Sequence, residues 1–280
     1  MHVRQFSLAM AATLALAACS QGGNGPGTTG QQVSFSLATK AAGAAPAPAF
    51  AITAAPETLA VGNDTIVFDT VQVLLRKIDL ERSGATQDCG QDVGDDNGQH
   101  VAPITTSDGN DGHEDDCEEV KAGPLILDLP LSAGATHVFS VQVDTGTFTN
   151  VHFQIHKPTD DPADLALLAQ HPEFTGISIR VLGQFNGNAF SYTNDLTANQ
   201  KVPLPAPLAV TDATPVDLTI MVDIANWFQD AGGNLVDPAT AAKGQPNEQL
   251  VTDNIKSSFH AFKDHDHDGE DDDHEGENHP

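Results

Sequence analysis

The chain has little positive charge: lysine and arginine number 12 against 39 aspartate and glutamate residues, for a formal net charge of −27. A phosphate polymer is held by clustered Lys and Arg that release its counterions, so this composition excludes nucleic acid as a partner and instead draws in divalent cations. Aromatic side chains are scarce as well. One tryptophan and one tyrosine in 280 residues are poor material for stacking on sugar rings. Trp227 and Phe228 are therefore expected to plug a core at the end of the last strand. There is no G-x-S-x-G elbow and no phosphate-binding P-loop, and His274-Glu275 makes no zinc-protease helix because His279 comes one residue too late. A non-enzymatic protein is the expectation that follows.

Long apolar runs are also missing, apart from the amino terminus. There Arg4 precedes an apolar stretch, Phe6 to Ala17, which has the length of a signal peptide and is too short to span a bilayer. Leu16-Ala17-Ala18-Cys19 resembles the bacterial lipobox. That resemblance implies cleavage before Cys19, diacylation of its thiol and attachment to a membrane through the lipid alone, with two or three acyl chains sufficing for stable anchoring. Ser20 stands where an aspartate would resemble an inner-membrane retention signal, so the outer membrane is the favoured address. The Gly-rich stretch up to residue 30 is a flexible tether. Its chance G-x-G-x-x-G lacks the preceding strand that a dinucleotide site needs.

Only two cysteines remain, Cys89 and Cys117, and outside the cytoplasm such a pair is expected to form a disulfide. By the chain-entropy estimate, closing a loop of this length contributes on the order of 3–4 kcal/mol. The residues between them include Asp92, Asp95, Asp96, Asp108, Asp111, Glu114, Asp115 and Asp116, in no calcium-loop register. A mobile acidic surface loop and a weak ion-binding loop both fit this composition.

Strand signals recur from residue 31 onward. Val33, Phe35 and Leu37 alternate with polar residues, as do Phe139, Val141 and Val143, then Val151, Phe153 and Ile155, then Val216 to Val222. In the stretch from Ile66 to Leu80, Val71, Val73 and Leu75 share one parity while Ile78 and Leu80 take the other, and a bulge near Leu75 or Arg76 would return both sets to the core. Asn186-Gly187 marks a type I′ hairpin that sets Val181 opposite Tyr192 and Gly183 opposite Phe190. His152 and His156 face away from the apolar side of their strand and read as surface histidines. Two helices are expected: one from Asp161-Pro162 to Pro172, the other from about Asn247 to Phe262 with Val251, Ile255, Phe259 and Phe262 in one stripe.

About nine strands and two short helices predict a mainly β fold, a two-sheet β-sandwich with a disulfide-bounded acidic loop. The expected organisation is a signal peptide over 1–18, a tether over 19–30, a sandwich over 31–262 with an insertion at 88–120, and an acidic tail over 263–280. The strand-turn pattern around DTGTFTNVHFQI resembles that of bacterial lipoproteins whose domains look like transthyretin- or immunoglobulin-type sandwiches. The resemblance implies the fold and a lipid anchor but no activity.

The tail carries the most specific motif. Asp264, Asp266, Asp268, Asp272 and Glu275 fall at positions 1, 3, 5, 9 and 12 of a loop with Gly269 sixth, which is similar to EF-hand and thrombospondin type 3 calcium loops. That resemblance implies those five side chains and the backbone carbonyl of Glu270 as Ca²⁺ ligands. Asp271 departs from it, since an apolar residue normally stands eighth, and no exit helix follows. A solvated acidic tail is the alternative. A third reading uses His265, His267, His274 and His279 for Zn²⁺, Ni²⁺ or Cu²⁺. For the whole chain, the expectation is a non-enzymatic envelope lipoprotein binding calcium or another divalent cation. The alternative is a structural or adhesive module that binds protein or glycan, its acids serving solubility only.

Overall fold

The computed structural model describes residues 30–40, 57–86, 89, 116–121, 123–131, 134–211 and 215–272. Cys19 and the leader, most of the acidic insertion, and Glu275, His274 and His279 lie outside these residues. Among the described residues the strands in chain order begin with β1 (Gly30–Lys40), β2 (Glu57–Val61), β3 (Asp64–Arg82), β4 (Cys117–Lys121), β5 (Leu125–Asp128), β6 (Thr136–Asp144) and β7 (Gly146–Ile155). Then come α1 (Pro162–Gln170), β8 (Ile179–Phe185), β9 (Asn188–Asn194), β10 (Ala198–Val210), β11 (Val216–Asp223), α2 (Glu248–Lys256) and β12 (Phe259–Lys263). No helix among the described residues is long and apolar enough to cross a membrane.

The strands form two sheets. One has the order β12-β11-β1-β6; the other runs β10-β7-β3-β8-β9, with β2, β4 and β5 also paired to β3. Their inner faces share one apolar core built from the residues that alternation selects, Val33, Phe35, Val73, Phe153 and Leu218 among them. The expected β-sandwich is therefore present. β1 runs parallel to β11 and antiparallel to β6, so the first strand sits inside its sheet, and the Phe35 and Phe139 rings stack at 4.9 Å between centroids.

β3 is the hub of the larger sheet, and its register against β7 shifts between Leu75 and Ile78. The bulge does what the change of parity demands: Val71, Val73, Leu75, Ile78 and Leu80 are all buried. Arg76 and Lys77, at the bulge itself, turn outward to Asp161 and Asp79.

The β8–β9 hairpin has the predicted register, Val181 opposite Tyr192 and Gly183 opposite Phe190. Asn186 and Gly187 both take positive φ, 51° and 78°, as a type I′ turn requires. Gly183 is needed for space. A Cβ there would stand 2.0 Å from the Val67 carbonyl oxygen and 3.1 Å from the Phe190 ring. Gly183→Ala is accordingly expected to lower stability by about 1–3 kcal/mol, the usual cost of overpacking. Urea unfolding should show the midpoint fall at unchanged slope, and an unmoved midpoint would mean that β3 and β8 separate there at no cost.

The helix at Pro162–Gln170 forms where expected, with Asp161 accepting the Ala163 N–H at its start. The second expected helix is corrected. It stops at Lys256, and Phe259 to Lys263 form β12, paired antiparallel with β11. Val251 and Ile255 are the buried face of α2, whereas Phe259 and Ala261 are buried as strand residues. Spacings of four satisfy a helical stripe, but here β11 offered an unpaired edge, and pairing with it lets Phe259 meet Phe153 of the opposite sheet at 5.0 Å. Trp227 and Phe228 are buried in the core as expected, although they follow a short 3-10 turn after β11, which is not the last strand.

Candidate metal centre

β11 exposes its core residues to one side, Leu218, Ile220 and Val222, and thereby sends Asp217 and Thr219 to the other. Beside it β12 ends, and Asp264 is placed on that second face. Its backbone N–H bonds the Asp217 carbonyl at 3.2 Å, and its Oδ2 accepts the Thr219 hydroxyl at 2.8 Å and the Gly269 N–H at 3.2 Å. The side chain is fully buried, yet its Oδ1 has no hydrogen-bond partner. Burial pushes the Asp264 carboxyl above its ordinary range; the Thr219 and Gly269 bonds oppose this, and the neighbouring Asp268 charge adds to it. A buried acceptor without a donor is costly, and a cation beside it removes that cost.

The segment after Asp264 turns back on itself through two left-handed residues, His267 at φ 60° and Gly269 at φ 86°. Within it Asp266 Oδ1 accepts the Asp268 N–H at 3.3 Å and Asp268 Oδ1 accepts the Glu270 N–H at 2.8 Å. One carboxylate oxygen from each of Asp264, Asp266 and Asp268 lies within 4.8 Å of the others. Oxygens that ligate Ca²⁺ at roughly 2.3–2.6 Å stand no farther than about 5 Å apart, so the three fit one ion. The loop is moored on both sides. His265 Nδ1 lies 3.2 Å from Asp217 Oδ2, and the Ala135 N–H donates to the His267 carbonyl at 3.0 Å.

Of the six sequence-derived ligands, Asp264, Asp266 and Asp268 are thus brought together. The Asp272 carboxylate folds back to accept the His265 N–H at 2.6 Å, and the Glu270 N–H is the donor to Asp268. Glu275 lies outside the described residues. Asp217 and Thr219 were not singled out by the sequence. The available signal was β11 alternation, which turns both toward the face opposite the core. A cleft of about 650 Å³ adjoins the loop, lined by Leu131, Met221 and Phe262 together with Asp268 and Glu270.

A second cluster lies on the outer face of β7. His152 and His156, expected at the surface, are buried instead. His152 Nε2 meets Glu81 Oε2 at 2.5 Å, and the same carboxylate takes Lys201 Nζ at 2.8 and 3.0 Å and Asn150 Nδ2 at 2.9 Å. Cys89, itself buried and joined to Cys117 by the expected disulfide, lies over this pair. Burial pushes the Glu81 carboxyl up, but Lys201 and His152 outweigh it and hold it below the ordinary carboxylate range. An acid with a depressed folded-state pKa contributes stability that is present above its unfolded value, roughly 4.3, and lost as pH falls through the folded one. Urea unfolding below that pH should therefore show a decline that Glu81→Gln flattens; parallel declines in both proteins would rule out this carboxylate as the source.

No protein-family model and no curated protein matches the chain. Among solved structures it is similar to MbnP from Methylosinus trichosporium, at 11% sequence identity and a TM-score of 0.41, over 79% of this chain and 86% of that one.

Proposed function

We propose that the chain is a non-enzymatic cell-envelope lipoprotein, anchored through Cys19, whose carboxyl-terminal loop holds Ca²⁺. The observation that carries the ion is the gathering of the Asp264, Asp266 and Asp268 carboxylates, the first of them buried with its Oδ1 lacking any partner. Three hard anionic oxygens favour Ca²⁺ over the metals that imidazole prefers. In this reading Asp264, Asp266 and Asp268 ligate through side chains and Glu270 through its carbonyl, with Asp272 and Glu275 completing the sphere. Calorimetric titration of the chain starting after Cys19 should give one Ca²⁺ site, lost in an Asp266→Ala/Asp268→Ala variant; both aspartates are exposed, so the fold is spared. Equal heats from both proteins would remove the site.

The anchor rests on the lipobox and is tested separately. Mass spectrometry of detergent-extracted protein is expected to find a diacylglycerol thioether at residue 19, and an unmodified thiol there would overturn the envelope address. The cleft beside the loop favours a second reading, an adhesive module holding a protein or glycan segment. Under that reading calcium heats are negligible and cross-linking in cells captures a partner against Met221 or Phe262.

A further inference from the structure

The Cys89–Cys117 bridge stands directly over a buried histidine and its carboxylate, far along the chain from the carboxyl-terminal aspartate loop. Cys117 is paired in register with Glu81 across β4 and β3, while His152 is paired with Asp79 on the other side of β3. A sulfur of Cys89, a ring nitrogen of His152 and a carboxylate oxygen of Glu81 all lie within 4.8 Å of one another, and Cys117 Sγ is bonded to that sulfur. Two sulfurs and one imidazole are a donor set that Zn²⁺ takes in tetrahedral sites, with the fourth position left to water. Lys201 and Asn150 already hold Glu81, and Glu81 holds the ring, which is the outer support that orients a ligating histidine.

We propose that, when the disulfide is reduced, Cys89, Cys117 and His152 bind Zn²⁺, with Glu81 holding the His152 ring in place. Reduction by a dithiol moves two electrons and two protons to the bridge: the S–S bond breaks, two thiols form, and the dithiol leaves as its own disulfide. Zn²⁺ then displaces the two thiol protons into solvent and bonds both thiolates. The strands that carry the site are held together by bonds other than the bridge. β4 is held to β3 by its ladder, and the segment before Cys89 is tied to Asp116 by the Arg82 N–H at 2.9 Å and by the Thr86 N–H and hydroxyl, each at 2.9 Å. The oxidised chain has no thiolate to offer, so the bridge and the metal exclude each other.

The test uses the full chain after Cys19, reduced with a dithiol and freed of it without oxygen, with Co²⁺ as the optical probe. Thiolate-to-cobalt charge transfer reports sulfur ligation alone, so Co²⁺ on the carboxyl-terminal aspartates stays silent. The expected result is a one-to-one charge-transfer band in the reduced chain, displaced by Zn²⁺ and missing from the oxidised chain. Glu81→Gln should weaken affinity about 10- to 100-fold, as loss of a supporting carboxylate does. His152→Ala should weaken it further. No band in a reduced chain that keeps its β-sheet circular dichroism would overturn the proposal, as would a band of equal affinity in His152→Ala. A reduced chain that loses that dichroism and does not regain it with Zn²⁺ overturns it as well.

Discussion

Asp264→Asn is expected to abolish the rise in melting temperature that Ca²⁺ produces while leaving the metal-free chain as stable as the parent or more so. The carboxylate is buried with one oxygen lacking any donor, and its charge is disfavoured by burial and by Asp268. Asparagine removes that charge, can still accept from Thr219 and Gly269, and supplies no anionic ligand. A ligand present at a hundred times its dissociation constant stabilises the folded state by about 2.7 kcal/mol, and this increment is what the variant should lose. Asp264→Ala differs in an instructive way. It strands the Thr219 hydroxyl and the Gly269 N–H as well, each worth about 1–3 kcal/mol when left unpaired in the interior, so the metal-free chain should weaken. Thermal melts of the three proteins in excess Ca²⁺ and in chelator decide the matter. A full calcium shift retained by the asparagine variant would refute the first-ligand role.

Trp227→Ala should be the most damaging single core change, at about 3–5 kcal/mol. The indole is completely buried, and its Nε1–H donates to Ser258 Oγ at 2.9 Å. That serine ends α2 by donating to the Ile255 carbonyl at 2.8 Å, and its own carbonyl accepts the Asp223 N–H at 2.9 Å, so one contact links the end of β11, the helix and the start of β12. The two N–H groups of Asn254 Nδ2 are shared among the carbonyls of Asn226, Trp227 and Gln229, which keeps the turn shut around the cavity that alanine would leave. Phe228, next in the chain, packs edge-on against Tyr192 at 5.1 Å, so the backbone here cannot slide to fill the space. Trp227→Phe retains most of the packing and should cost clearly less. Equilibrium urea unfolding measures both, and a loss below about 1 kcal/mol for alanine would mean that the site collapses.

Much of the sandwich was legible because its signals are local. Alternation picked the buried residues of β1, β7 and β11, the change of parity in β3 announced its bulge, and Asn186-Gly187 set the hairpin register to the residue. The misreadings share one cause. Period two tells which side of a strand faces away from the core, but not what lies over that side. His152 alternates away from the core yet is covered by the Cys89 bridge, and Thr219, on the corresponding side of β11, is covered by Asp264. Likewise Phe259 and Phe262 sit at helical spacing from Ile255, and only the open edge of β11 makes them strand residues.

The sequence by itself determined the mainly β class, the cysteine pair that bridges, and a tail register of alternate aspartates with glycine sixth, since each depends on residues close together or on composition. Tertiary structure alone decided which aspartate is buried, which carboxylate meets a histidine, and that the disulfide stands over both. Those facts require segments far apart in sequence to lie side by side, as Thr219 and Asp264 do at a separation of 45 residues and Glu81 and His152 at 71. A side chain's environment is made by whichever neighbours the sheets bring to it, and its own stretch of chain does not name them.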